Sequence, residues 1–148
     1  MGGLTEWKQR GSVSLWRYIE HDRDFNGWHF SADEEGCRSL LALLDQLEAA
    51  SEPESYRTLQ VTKATPAILA VPNNGSARAL SPVRWRLRYA SAPQEWQWAE
   101  EGDTLELTVG LQGLRKLHAS VSAVLRHEGD FSVGPDDGQL WFWWWRHG

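Results

Sequence analysis

Two stretches of this chain read alike: Phe30-Ser31-Ala32-Asp33-Glu34-Glu35-Gly36-Cys37-Arg38-Ser39-Leu40 and Leu107-Thr108-Val109-Gly110-Leu111-Gln112-Gly113-Leu114-Arg115-Lys116-Leu117. In each, a strand-like segment passes through a glycine into apolar residues spaced three and four apart, the period of a helix lying on a sheet. The spacing predicts a first helix from about Asp33 to Ala50, with Cys37, Leu40, Leu41, Leu44 and Leu47 on one face. Asp33, Glu34 and Glu35 lie at its positive end, and Ser31 or Asp33 supplies the N-cap. A second helix is predicted from about Leu111 to Arg126, with Leu114, Leu117, Val121, Val124 and Leu125 inward and Gly129 placed to end it. An offset of 77 residues also aligns Gly36 with Gly113, Arg38 with Arg115, and Leu44 with Val121.

Outward from these helices the pattern is short and alternating, which predicts strands at Ser12–Ile19, Trp28–Ser31, Tyr56–Thr62, Ala67–Val71, Val83–Tyr89, Glu95–Trp98, Thr104–Val109, Phe131–Val133 and Gln139–Trp145. Asn26-Gly27, Asn74-Gly75, Glu101-Gly102 and Asp137-Gly138 stand where the chain must turn. The fold class is therefore α+β, with two amphipathic helices packed on a largely antiparallel sheet. Two strands follow each helix, so the pattern predicts a pseudo-duplicated ββαββ unit, halves 1–75 and 80–148, within a single domain spanning 1–148.

At 148 residues, 41% hydrophobic and 24% charged, the chain has the composition of one globular domain that needs neither metal nor disulfide to hold a core. No run approaches the length of a membrane span, and Met1 to Arg10 lacks the apolar centre of a signal peptide. Glu6 stands where a myristoylation motif beginning at Gly2 needs Ser or Thr. The single Cys37 excludes an intrachain disulfide and a Cys-rich zinc site, and a cytoplasmic address is expected. Fifteen basic against twenty acidic residues give a net charge of -5, which weighs against a nucleic-acid partner.

Ten Trp outnumber four Phe and three Tyr, and the excess gathers in Leu140-Trp141-Phe142-Trp143-Trp144-Trp145. Alternation places Leu140, Phe142 and Trp144 on one face and Trp141, Trp143 and Trp145 on the other, so both faces are apolar. Three indoles left in water, roughly 200 Å² each, would forfeit on the order of 10 kcal/mol, comparable to the stability of a whole domain. That face must be covered by the chain's own elements, by a homodimer or protein partner, or by a ligand stacked on the rings.

Val83-Arg84-Trp85-Arg86-Leu87-Arg88-Tyr89 alternates too, lining Arg84, Arg86 and Arg88 along one face. Guanidinium groups in a row suit an anionic surface, whereas an acidic neighbour such as Glu106 would make the row an ordinary solvated face. Asp22, Asp24 and Asn26 sit at the first, third and fifth positions of a calcium-loop pattern. Against it, the twelfth position is Asp33 rather than Glu, the eighth is His29, and Asn26-Gly27 fits a hairpin turn. His21 and His29 flank that turn and offer a metal or catalytic alternative.

The chain contains no nucleophile elbow, no zinc-protease helix, no phosphate loop and no dinucleotide fingerprint. No cofactor is implied. These observations point to a small binding protein without catalytic activity, acting through a protein–protein surface in the manner of a regulator, inhibitor or immunity-type protein. A small-ligand module using Trp and Arg side chains is the first alternative, and an enzyme or metal site at the His21–His29 turn the second.

Overall fold

The computed structural model describes residues 7–18, 27–49, 54–69, 79–90, 96–129, 131–135 and 138–145. The elements in order are β1 (Val13–Tyr18), β2 (Trp28–Ala32), α1 (Glu34–Ala49), β3 (Glu54–Gln60), α2 (Pro66–Leu69), β4 (Ala79–Leu80), β5 (Arg84–Ala90), β6 (Trp96–Glu101), β7 (Thr104–Val109), α3 (Leu111–Leu125), β8 (Phe131–Val133) and β9 (Leu140–Phe142). Both predicted helices form at the predicted places. Instead of one sheet there are two: sheet I in the order β4-β1-β2-β9-β8 and sheet II in the order β3-β5-β7-β6. Each is mixed, because its two halves meet at a parallel pair, β2 with β9 and β5 with β7.

The order of pairing shows the duplication and a twist on it. The hairpins β1-β2 and β6-β7 each lead into a helix, α1 or α3, and each helix is followed by a second strand pair, β3-β5 or β8-β9. The second pair does not return to its own hairpin. The β8-β9 pair extends β2, and the β3-β5 pair extends β7, so the units exchange strand pairs. Neither unit holds a complete sheet by itself, which binds the chain into one domain. The strand completing the first unit is β5, beyond the 75–80 junction that the sequence pattern suggests. Of the segment Ala67–Val71, read as a strand, residues 67–69 belong to the short helix α2 instead, and 70 and 71 lie outside the described residues. Thr65 Oγ1 accepts the Ile68 N–H at 3.3 Å and Pro66 opens the turn, a helix start in miniature.

Both helices turn their apolar stripes to one core. Cys37, Leu40, Leu43, Leu44 and Leu47 of α1 join Leu114, Leu117, Val121 and Val124 of α3 and the inner faces of both sheets: Leu15, Phe30, Leu140 and Phe142 from sheet I, and Leu59, Trp85, Leu87, Leu105 and Leu107 from sheet II. Phe30 and Trp85 meet at 6.0 Å between ring centroids and Trp28 and Trp98 at 6.1 Å, so the two sheets touch. Asp33 is the N-cap of α1: its Oδ1 accepts the Gly36 N–H at 2.7 Å and also the Ser12 N–H at 2.9 Å, tying the helix start to β1. α3 ends two residues earlier than Gly129 would place it, since His127 takes the left-handed conformation at φ 63 after the cap residue Arg126. The β6-β7 hairpin turns through Gly102-Asp103, with positive φ at Gly102, the conformation that glycine adopts without strain. No helix among the described residues is long and apolar enough to cross a membrane.

Candidate functional site

The two sheets turn outer faces of opposite character away from the core. On sheet I the outer positions are Ser14, Trp16 and Tyr18 of β1, His29 and Ser31 of β2, and Trp141 of β9, followed by Trp143. The segment running from Thr62 through α2 lies over them: Ser14 Oγ donates to the Thr62 carbonyl at 2.7 Å and Tyr18 Oη to the Leu69 carbonyl at 3.0 Å. Ala64 and Ile68 complete a second apolar cluster with Trp16, Tyr18 and Trp143. Leu140, Phe142 and Trp143 of the aromatic tail are therefore covered by their own chain, the first of the three covers that its composition allows.

At the centre of this cluster is His29, fully buried. Its ring stacks near Trp16 at 5.7 Å, Trp143 at 6.2 Å and Trp141 at 6.5 Å, with Tyr18 edge-on at 4.9 Å. Trp143 Nε1 donates to His29 Nδ1 at 3.0 Å. A nitrogen accepting that bond carries no proton and offers no lone pair to a metal, so this side of the ring is structural. Trp143 is 2% exposed and unavailable to a partner, while Trp141 and Trp145 are half-buried. Trp144 is 37% exposed, because β9 ends at Phe142 and the alternation lapses there. Of the row Trp141, Trp143 and Trp145 read as a binding face, the central member is buried and the two flanking it are half-buried.

The outer face of sheet II has no such cover among the described residues. Its positions include Tyr56, Thr58 and Gln60 of β3, Arg84, Arg86 and Arg88 of β5, Thr104, Glu106 and Thr108 of β7, and Gln97, Ala99 and Glu101 of β6. Arg86 pairs with Glu106 at 3.1 Å and Arg88 pairs with the same carboxylate at 3.3 Å. The Tyr56 ring, 53% exposed, lies under both guanidinium groups, at 4.8 Å from Arg88 and 5.6 Å from Arg86. Arg84 is exposed and makes no ion pair with another described residue. The expected pairing of Arg86 and Arg88 with Glu106 is present, and Glu101 of β6, in register with Thr104 beside Arg84, shares the same face, so the arginine row stands among acidic residues.

The duplication makes the contrast sharper. The offset of 77 that superposes the units carries His29 onto Glu106, and the parallel registers place Trp141 beside His29 as Arg86 lies beside Glu106. Trp143 donates to His29 as Arg88 donates to Glu106. One unit's version of this arrangement is aromatic and sealed; the other's is ionic and open. Tyr56 was not singled out by sequence pattern, since its place beside Arg88 depends on the β3-β5 register.

Asp22, Asp24 and Asn26, like His21, lie outside the described residues. The elements flanking that turn are strands, β1 and β2, rather than the two helices of a calcium hand, and Asp33 spends its carboxylate on Ser12 and Gly36. Among the described residues no group of three His, Cys, Asp or Glu side chains gathers to hold a metal. Cys37 is fully buried, and burial, reinforced by the Asp33 charge, pushes its thiol up to about 12, so it is an inert core residue. Trp85, the ring that a ligand pocket would use, is fully buried, and Trp96 and Trp98 both donate to the Gly138 carbonyl, at 2.6 and 2.8 Å. Arg17 lies over Trp28 beside a cleft of about 190 Å³. A wider groove of about 440 Å³ runs between Val61, Lys63, Leu69, Leu80 and Val83 and contains no Trp or Arg. The chain matches no known protein family and no curated protein sequence.

Proposed function

We propose that this chain is a non-enzymatic binding domain that holds a protein partner against the open face of sheet II, in the manner of a regulator, an inhibitor or an immunity-type protein. The observation that carries this reading is the unequal treatment of the two outer faces: the aromatic one is closed by residues 62–69, while Tyr56 and Arg84 are exposed and Arg86 and Arg88 half-buried beside them. Tyrosine and arginine are the residue types that most often anchor protein interfaces, and an arginine-rich face selects an acidic partner. The small-ligand reading rests on two clefts that hold an Arg beside a Trp: one at Arg17 and Trp28, about 190 Å³ and below the usual range for ligand pockets, and one at Trp7, Arg10 and Arg38, about 370 Å³ and within it.

Affinity capture from an extract of its own cells tests the proposal. Native chain is compared with Arg84→Glu plus Tyr56→Ala and, as a control of equal charge change, Lys116→Glu on the exposed side of α3. The double variant is expected to lose about tenfold or more of a defined set of proteins that the control retains. Equal retention by all three would overturn the reading.

A further inference from the structure

The open face ends at a strand edge with an unusual set of unmet polar groups. β3 and β6 are the edges of sheet II, and β3, at seven residues, is longer than the two-residue β4 and three-residue β8 that bound sheet I. The phase of its backbone follows from its two ends. Val61 N–H donates to Val83 across the β3-β5 pair, whereas Gln60 points the other way: its N–H donates to Gln9 Oε1 and its carbonyl accepts from Gln9 Nε2, both at 2.8 Å. Hydrogen-bonding directions alternate along an antiparallel strand. Tyr56 and Thr58 therefore aim N–H and C=O groups outward, as Gln60 does, and neither makes an outward backbone bond among the described residues. The Gln9 amide already engages one outward position as an added strand would.

The side chains at this edge are equally unfinished. Among the described residues Ser55 Oγ and Arg57 Nε on its inner side are buried without a partner, as is Arg86 Nε on the neighbouring strand β5. A charge turned inward on an edge strand discourages indiscriminate pairing, because an apolar strand laid beside it would bury the guanidinium unpaired. A strand bearing a carboxylate next to Arg57 would instead satisfy it. The opposite edge, β6, carries Glu100 and Glu101 and lacks this complementarity.

We infer that β3 is a docking edge for an extended acidic segment of a partner protein, which adds to sheet II as a fifth strand with a carboxylate beside Arg57. This rests on the binding role proposed above and gives it a mode of attachment: backbone bonds at Tyr56 and Thr58 supply affinity, and Arg57 with the arginine row supplies the preference for acid.

The test uses two soluble decapeptides of one composition on the full chain, one alternating Thr and Glu, the other with its five Glu and five Thr in separate blocks. At physiological salt the alternating peptide is expected to bind about tenfold tighter by fluorescence anisotropy, and to slow amide exchange at Tyr56 and Thr58 by a similar factor. Thr58→Pro removes an outward N–H without touching the β5 pairing and is expected to abolish the difference between the peptides. Arg57→Glu, which keeps the backbone edge, is expected to shift preference to an alternating Thr-Lys peptide. Equal binding of the two acidic peptides, protection at β6 rather than β3, β3-to-β3 dimers of the free chain, or tighter binding of oligothymidylate with the same footprint would each overturn strand addition. If these fail while the Arg84 and Tyr56 capture result holds, the face binds but not by adding a strand. If both fail, the binding role falls with it.

Discussion

Replacing Trp143 with alanine is expected to destabilise the chain by about 3–5 kcal/mol, a third or more of what a domain of this size ordinarily possesses. Three losses coincide. The ring leaves a cavity in the cluster formed with Trp16, Tyr18, Ala64 and Ile68. The stacking neighbours His29 and Trp141, at 6.2 and 5.9 Å, lose a face. His29 Nδ1, deep in that cluster, loses the donor that satisfies it. Trp143→Phe, which keeps an aromatic ring and removes the donor, should cost less, about 1–3 kcal/mol. Urea unfolding with an unchanged slope measures both. A loss under about 1 kcal/mol for the alanine variant would mean that the outer face of sheet I is not a packed core.

Gly36→Ala is the second large effect, and its sign is the informative part. In an ordinary helix this exchange stabilises by about 1 kcal/mol. Here a Cβ would run into the Ser12 carbonyl oxygen and stand 3.0 Å from Asp33 Oδ1, the atom that caps the helix and holds the Ser12 N–H. Neither neighbour is a flexible side-chain end free to swing away, so β1 and α1 must separate. The variant is expected to be less stable by about 1–3 kcal/mol, read as a lower melting temperature. A rise in stability would show that the helix start does not bear on β1 as described.

The parts of the fold that were legible in advance rest on local periodicity. Leu40, Leu44 and Leu47 announce α1, and Leu117, Val121 and Val124 announce α3, because a helix must present one stripe to its core. The arginine row and its partner Glu106 follow from strand alternation in the same way. The exchange of strand pairs does not, since β2 with β9 and β5 with β7 join residues more than a helix apart, and no local pattern encodes which parallel neighbour a buried strand takes. Ala67–Val71 was ambiguous for a different reason: a short apolar run fits strand or helix equally, although Thr65-Pro66 carried a helix-start signal. The burial of His29 is not legible locally, because the rings that enclose it come from two distant places in the chain, Trp16 from β1 and Trp141 and Trp143 from the carboxyl-terminal stretch.

The unequal fate of the two outer faces underlies the account, and hydroxyl-radical footprinting of the folded, partner-free chain reads both at once. Tyr56, 53% exposed, is expected to be modified readily, whereas Trp16 and Trp143 are modified only through unfolding. Modification of Trp143 in the folded chain at a rate like that of Tyr56 would contradict it.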